Sequence, residues 1–126
     1  MGKIDVLIVD DSTAVRHGLL SILRAFPDIE PVGEAINGLD AIGKVESLQP
    51  SVVLMDAQMP EMDGMEATRR IKETYPGIKI LFLSVHADYL DSALAAGADG
   101  YLPKDSDRQT LVGKIRDLVA SDHPGN

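Results

Sequence analysis

The segment "SVVLMDAQMP", residues 51–60, ends an apolar run on an aspartate, Asp56. A charge at such a position is costly unless a neighbour stabilises it. Asp10 ends another apolar run, "IDVLIVD", residues 4–10, and Asp11 follows it directly. Ser84 lies near the end of "IKILFLSV", and Lys104 closes "GYLPK". If the segments carrying these residues are neighbours, three carboxylates, a hydroxyl and an ammonium share one crevice. Two like charges about 4 Å apart repel by roughly 4 kcal/mol at an effective dielectric near 20. Three carboxylates there must protonate, spread apart or hold a cation. Oxygen donors with no cysteine or histidine beside them favour a hard ion, Mg²⁺ or Mn²⁺. Such an ion keeps part of its water and leaves room for a phosphate. Ser84 could then donate to one phosphate oxygen and Lys104 neutralise another, with Asp56 as a nucleophile that accepts a phosphoryl group.

Taken singly, each residue has a plainer role. Asp10, Asp11 or Asp56 can cap a helix or turn, serine is common at strand ends, and a lone lysine is usually solvated. Only the set points to phosphoryl chemistry, and the set needs a fold that assembles it.

Strand and helix signals alternate along the chain. Ile4–Asp10, 31–35, 51–56, 78–85 and 100–104 read as strands. Residues 13–26 put Val15, Leu19, Ile22, Leu23 and Phe26 on one helical face, with Asp11, Ser12 and Thr13 as capping candidates and Pro27 as the stop. Leu39–Leu48, 64–74, 88–96 and 107–120 follow as helices; Gly97 reads as a C-cap, and Leu111, Ile115, Leu118 and Val119 form the inner side of the last helix. Five β–α units with strands apolar on both faces predict an α/β fold: a doubly wound parallel sheet covered on both sides. In such sheets ligands gather outside the C-terminal strand ends, at the point where the winding reverses. That is where the five residues fall.

The whole composition agrees with one domain. The chain has 126 residues, 44% of them apolar and 25% charged. Residues 1–120 read as the domain, and the tail "SDHPGN", 121–126, as a linker or frayed end. The apolar runs are too short to cross a bilayer, and the start, with Lys3 and Asp5, carries no signal-peptide pattern, so a cytoplasmic location and no membrane partner are expected. Absence of cysteine excludes disulfides and thiolate metal sites. A net charge of −8 opposes direct nucleic-acid binding. The sequence holds neither G-x-G-x-x-G after the first strand nor a P-loop, which disfavours nucleotide binding.

At this point the sequence resembles the receiver domain of two-component response regulators. The matching segments are "IVDDS", "LMDAQMPEMDG", "FLSVH" and "GADGYLPKD", in family order over roughly residues 4–120. "HGLLSILRAFPDIEPVGEAINGLDAI" and the Asp105 that follows Lys104 further resemble the subfamily with a LuxR-type helix-turn-helix output domain. The resemblance implies the (βα)5 flavodoxin-like receiver fold with strand order 2-1-3-4-5. It implies that Asp56 takes a phosphoryl group from a phosphohistidine on a sensor histidine kinase. Asp11 would bind Mg²⁺ (or Mn²⁺) directly, Asp10 directly or through water, and the Gln58 backbone carbonyl would add a metal oxygen. Ser84 would hydrogen-bond the phosphoryl group and Lys104 would pair with it. Tyr101 would be the switch aromatic, turning inward as Ser84 is drawn to the phosphoryl oxygens; without the resemblance it reads as a half-buried core residue. Pro60 and Gly64 would shape the loop after the acceptor. Homodimer formation on phosphorylation and control of transcription through an absent output domain are further implications, and a stand-alone receiver acting by protein contact is the alternative.

Three departures from the family pattern stand out. Pro103 precedes Lys104 where many members have a proline after the lysine, in a cis bond. Ser84 replaces the commoner threonine. Gln58 and His86 occupy positions that vary and affect hydrolysis of the acyl phosphate. Gln58 also bears on a rival function. Mg²⁺-dependent phosphatases with an aspartate nucleophile carry an acid/base aspartate two residues on, where this chain has Gln58, which has no proton to exchange. His17 reads as a surface residue on the first helix, at the kinase-docking face.

Overall fold

The structure is a computed structural model that describes residues 3–57, 59, 63–85 and 90–120. Gln58, Pro60, His86 and the tail 121–126 lie outside the described residues. The element order is β1 (Ile4–Val9), α1 (Thr13–Arg24), β2 (Ile29–Ala35), α2 (Gly38–Leu48), β3 (Val52–Asp56), α3 (Gly64–Thr74), β4 (Lys79–Ser84), α4 (Leu90–Ala96), β5 (Gly100–Pro103) and α5 (Arg108–Ala120). The five strands form one parallel sheet in the order β2-β1-β3-β4-β5. Winding reverses between β1 and β3, which are adjacent, so Asp10, just past the end of β1, and Asp56, the last residue of β3, flank the reversal.

Strand alternation divides the core in two. Leu7, Val9, Val53, Met55, Ile80 and Phe82 pack with Ala41 and Val45 of α2, Ala67 and Ile71 of α3, and Ala93 of α4. Val6, Ile8, Val52, Leu54, Leu81 and Leu83 pack with Leu20 and Leu23 of α1 and with Leu111, Val112, Ile115 and Leu118 of α5. Three helices therefore cover one face and two cover the other. At about 25 cal/mol per Å² of apolar surface, each fully buried Leu or Ile contributes roughly 1.5–3 kcal/mol.

Helix starts follow from local hydrogen bonding. Ser12, Asn37 and Asp63 each accept from the backbone N–H three residues on, at 3.2, 2.8 and 2.9 Å, and so cap α1, α2 and α3. Of the three capping candidates before α1, Ser12 takes the role and leaves the Asp11 carboxylate out of it.

Several boundaries differ from the sequence expectation. The first strand stops at Val9, and α1 ends at Arg24; its last turn tightens, with Phe26 N–H on the Leu23 carbonyl at 3.1 Å, so Phe26 still reaches the core from beyond the helix. β2 begins at Ile29, ahead of Pro31, where the sequence pattern starts it. A proline is tolerated there because β2 is an edge strand, and the register with β1 shifts just after it, between Val6 and Leu7. β4 and β5 stop at Ser84 and Pro103, and α5 starts one residue late, at Arg108. The inner face of α1 is centred on Leu20 and Leu23, and Val112 joins the α5 core, whereas Val119 is only partly buried.

One tertiary tie has no counterpart in the sequence pattern. Lys72 Nζ donates to the carbonyls of Pro76 and Ile78, both at 2.9 Å, and to Asp99 Oδ2 at 3.0 Å. The same Asp99 oxygen accepts from Ile80 N–H at 2.8 Å. The end of α3, the start of β4 and the turn after α4 are thereby held together. Gly97 makes that turn with φ +105°, in the left-handed region that glycine enters without strain.

Candidate functional site

Parity and register bring the chemical groups together. Asp10, Asp56 and Lys104 share the strand parity of Ile8, Leu54 and Leu102, so their side chains leave the sheet on one side. Val9 is paired with Met55 in the β1–β3 ladder, which sets Asp10 beside Asp56 at the next position. The Lys104 N–H donates to the Ser84 carbonyl at 3.0 Å, extending the β4–β5 ladder past the end of β5.

Lys104 Nζ lies 2.8 Å from Asp10 Oδ2 and 3.2 Å from Asp56 Oδ1. Asp10 and Asp56 are 2% and 6% exposed, and Ser84 is 4% exposed. Carboxylate oxygens of Asp10, Asp11 and Asp56 all lie within 4.8 Å of one another. Burial disfavours the Lys104 ammonium, but the Asp10 hydrogen bond and the charges of Asp56 and Asp10 outweigh it and hold its pKa above the usual lysine value. Three carboxylates against one ammonium leave two negative charges uncompensated, the charge a divalent cation carries. The donors are all hard oxygens, so this set fits Mg²⁺ or Mn²⁺.

Space adjoins the charges. A cavity of about 380 Å³ is lined by Val15, Ser84, Val85, Pro103, Lys104 and Asp105. Lys104, Ser84 and Asp105 are its polar lining residues and Val15, Val85 and Pro103 its apolar ones; Asp10, Asp11 and Asp56 are not among them.

Behind Asp56, Ala57 and the start of α3 come into contact. Gly64, the first residue of α3, donates its N–H to the Ala57 carbonyl at 3.3 Å. A Cβ at Gly64 would fall 2.1 Å from the Asp56 carbonyl oxygen, so only glycine admits this approach.

Tyr101 is half-buried against the core on the α3 and α4 face and pairs with Phe82 in the β4–β5 ladder. Ser84 shares the parity of Phe82, so Ser84 and Tyr101 lie on the same face of the sheet, one alternate position apart. No peptide bond among the described residues is cis, so Lys104–Asp105 is trans, as its non-proline sequence favours. His17 is exposed on α1.

Sequence reasoning missed Arg16 and Glu34. Arg16 Nη1 donates to the Asp10 carbonyl at 2.8 Å, and its Nε donates to Glu34 Oε1 at 2.9 Å. No sequence signal marks this pairing, because it exists only once β2 lies beside β1.

Residues 6–116 match the family described as the response regulator receiver domain. The chain belongs to this family. The receiver domain is 40% identical over 116 residues to the transcriptional regulatory protein DegU of Brevibacillus brevis, covering 90% of this chain and 49% of that protein. It is 42% identical over 115 residues to the response regulator protein VraR of Staphylococcus aureus, covering 90% of this chain and 55% of that protein. A two-component response regulator of the LuxR family from Aurantimonas sp. SI85-9A1 has the same fold, with TM-score 0.90 and 31% identity over 95% of this chain and 87% of that one. These relatives support the LuxR-type subfamily of receiver domains. The chain spans about half the length of the curated relatives it matches.

Proposed function

We propose that this receiver domain accepts a phosphoryl group on Asp56 from a phosphohistidine of a sensor histidine kinase and switches an output in response. The observation that carries the reading is the Lys104 ammonium bridging the buried carboxylates of Asp10 and Asp56, with Asp11 close by. An Asp56 carboxylate oxygen attacks phosphorus, the P–N bond to the imidazole breaks and a P–O bond forms, which leaves an acyl phosphate and a free histidine. Positioning and charge neutralisation carry most of such a transfer. Lys104 holds the Asp56 oxygen and can pair with the arriving phosphoryl group, and the Ser84 hydroxyl is a donor to it. Asp10, Asp11 and Asp56, with the Gln58 carbonyl, would hold Mg²⁺ or Mn²⁺. When bound, that ion neutralises charge on the phosphoryl oxygens.

The acyl phosphate adds about −1.5 to −2 charge and three acceptor oxygens. Ser84 drawn toward those oxygens frees space on the face it shares with Tyr101, which turns inward and alters the α4–β5 surface. A shift from 1:99 to 99:1 between two packings needs roughly 5.5 kcal/mol of differential stabilisation. The output is transcription through a DNA-binding domain in the remainder of a longer protein, with a phosphorylation-dependent homodimer as its active form. DegU, a transcriptional regulatory protein about twice the matched length, supports this. The net charge of −8 supports leaving nucleic-acid contact to that other domain. No helix among the described residues is long and apolar enough to cross a membrane, and a cytoplasmic site of action accords with a kinase partner. Residues 1–120 form the receiver unit in this reading and 121–126 the link onward.

The test is labelling with a small acyl phosphate, read by intact mass. Wild-type protein with Mg²⁺ should gain the mass of one phosphoryl group, and omission of Mg²⁺ or the substitution Asp56→Asn should abolish the gain. A variant that labels as fast as wild type would exclude Asp56 as the acceptor.

A further inference from the structure

We infer that Arg16, with Glu34 behind it, is a positioning residue for the divalent-ion site, and that it aims the Asp11 carboxylate by holding the Asp10 carbonyl. The inference rests on the phospho-acceptor reading above. The Asp11 side chain makes no hydrogen bond or ion pair to another described residue and is exposed, so the backbone on either side sets its Cα–Cβ direction and with it the positions its carboxylate can reach. The peptide before it has its carbonyl, that of Asp10, on Arg16 Nη1 at 2.8 Å. The peptide after it has its N–H, that of Ser12, on Asp10 Oδ1 at 2.9 Å. Asp10 is pinned at its other polar groups as well: its N–H donates to the Ala35 carbonyl at 3.1 Å, and its Oδ2 meets Lys104.

The guanidinium is itself fixed. Nε donates to Glu34 Oε1 at 2.9 Å and Nη2 to Thr13 Oγ1 at 3.2 Å, and the side chain is only 12% exposed. Glu34 sits beside Ile8 in the β1–β2 ladder, and its own carbonyl accepts from Lys44 Nζ at 2.6 Å. A planar fork is needed to span the Asp10 carbonyl and the Glu34 carboxylate; a lysine ammonium is a point donor that lacks that geometry. Partners that orient metal ligands from behind commonly contribute tenfold or more to metal affinity.

The experiment measures Mn²⁺ dissociation constants by electron paramagnetic resonance, beside metal-free thermal unfolding of the same proteins. Arg16→Met should raise the Mn²⁺ dissociation constant roughly tenfold, Glu34→Gln should raise it by a smaller factor, and Arg16→Lys should recover part of the loss. A purely structural arginine would lower the thermal midpoint and leave Mn²⁺ affinity unchanged, and that result overturns the inference. Should Arg16→Met not fold, Arg16→Lys and Glu34→Gln decide it, and wild-type affinity in both overturns it. Wild-type protein that binds no Mn²⁺ overturns the phospho-acceptor reading and this inference together. Tight wild-type binding matched by the variants overturns this inference alone.

Discussion

Gly64→Ala should destabilise the domain by about 3 kcal/mol, the upper end for overpacking, because the new methyl group would fall on backbone rather than on a movable side chain. Its Cβ would lie 2.1 Å from the Asp56 carbonyl oxygen and 3.1 Å from the Asp56 carbonyl carbon. Relief requires α3 to move off the end of β3 or the Asp56 peptide to rotate, and either displaces the Asp56 carboxylate relative to Lys104. Urea unfolding should therefore show a lowered midpoint with an unchanged slope, and phosphoryl labelling should slow in whatever folded protein remains. Gly43→Ala is the control. Gly43 lies inside α2, and a methyl group added there would meet nothing within 4 Å, so alanine should stabilise by roughly 0.5–1 kcal/mol through helix propensity. Equal effects at the two sites would mean that the close approach at Asp56 is not what constrains Gly64.

Asp11→Asn should have opposite effects with and without metal. Carboxylate oxygens of Asp11, Asp10 and Asp56 come within 4.8 Å, where two charges repel by roughly 3 kcal/mol at an effective dielectric near 20. Lys104 pairs with Asp10 and Asp56, so removing the Asp11 charge relieves repulsion and breaks no ion pair. Asp11 is exposed, and solvent screening cuts the gain to about 1 kcal/mol in metal-free buffer. Wild-type protein at a hundredfold excess of Mg²⁺ over its dissociation constant gains about 2.7 kcal/mol, which the variant forgoes. Thermal melts of the two proteins should cross as Mg²⁺ is added, the variant melting higher without the ion and lower with it. A variant that melts lower in both conditions would show that Asp11 supports the fold rather than the ion site.

The sequence exposed the site because its charges interrupt apolar strands. Asp10 and Asp56 each close a buried run, and the period-2 rule together with a parallel sheet sets them side by side; the structure has Asp10 just past β1 and Asp56 at the end of the adjacent β3, at the winding reversal. Ser84 and Lys104 were legible for the same reason, as polar groups at strand ends. Arg16 was not, since on the helix pattern it is one more outward cation, and its partner Glu34 belongs to the strand whose start Pro31 concealed. The Lys72–Asp99 tie escaped because its partners are 27 residues apart and meet only when α3 and α4 pack side by side. Helix faces were placed within a residue, which was enough to find α1 but not to separate Leu19 from the buried Leu20.

The most direct test of the central claim is nuclear magnetic resonance of the metal-free protein titrated with substoichiometric Mn²⁺, whose unpaired electrons broaden nearby amide signals. The expected result is early loss of the Asp11, Ser12, Ala57 and Lys104 amide signals while those of Glu30, at the start of β2, and Glu73, at the end of α3, persist. Broadening at Glu30, Glu73 and other remote carboxylate residues, with the amides beside Asp11 and Asp56 unaffected, would contradict a single ion held between the ends of β1 and β3.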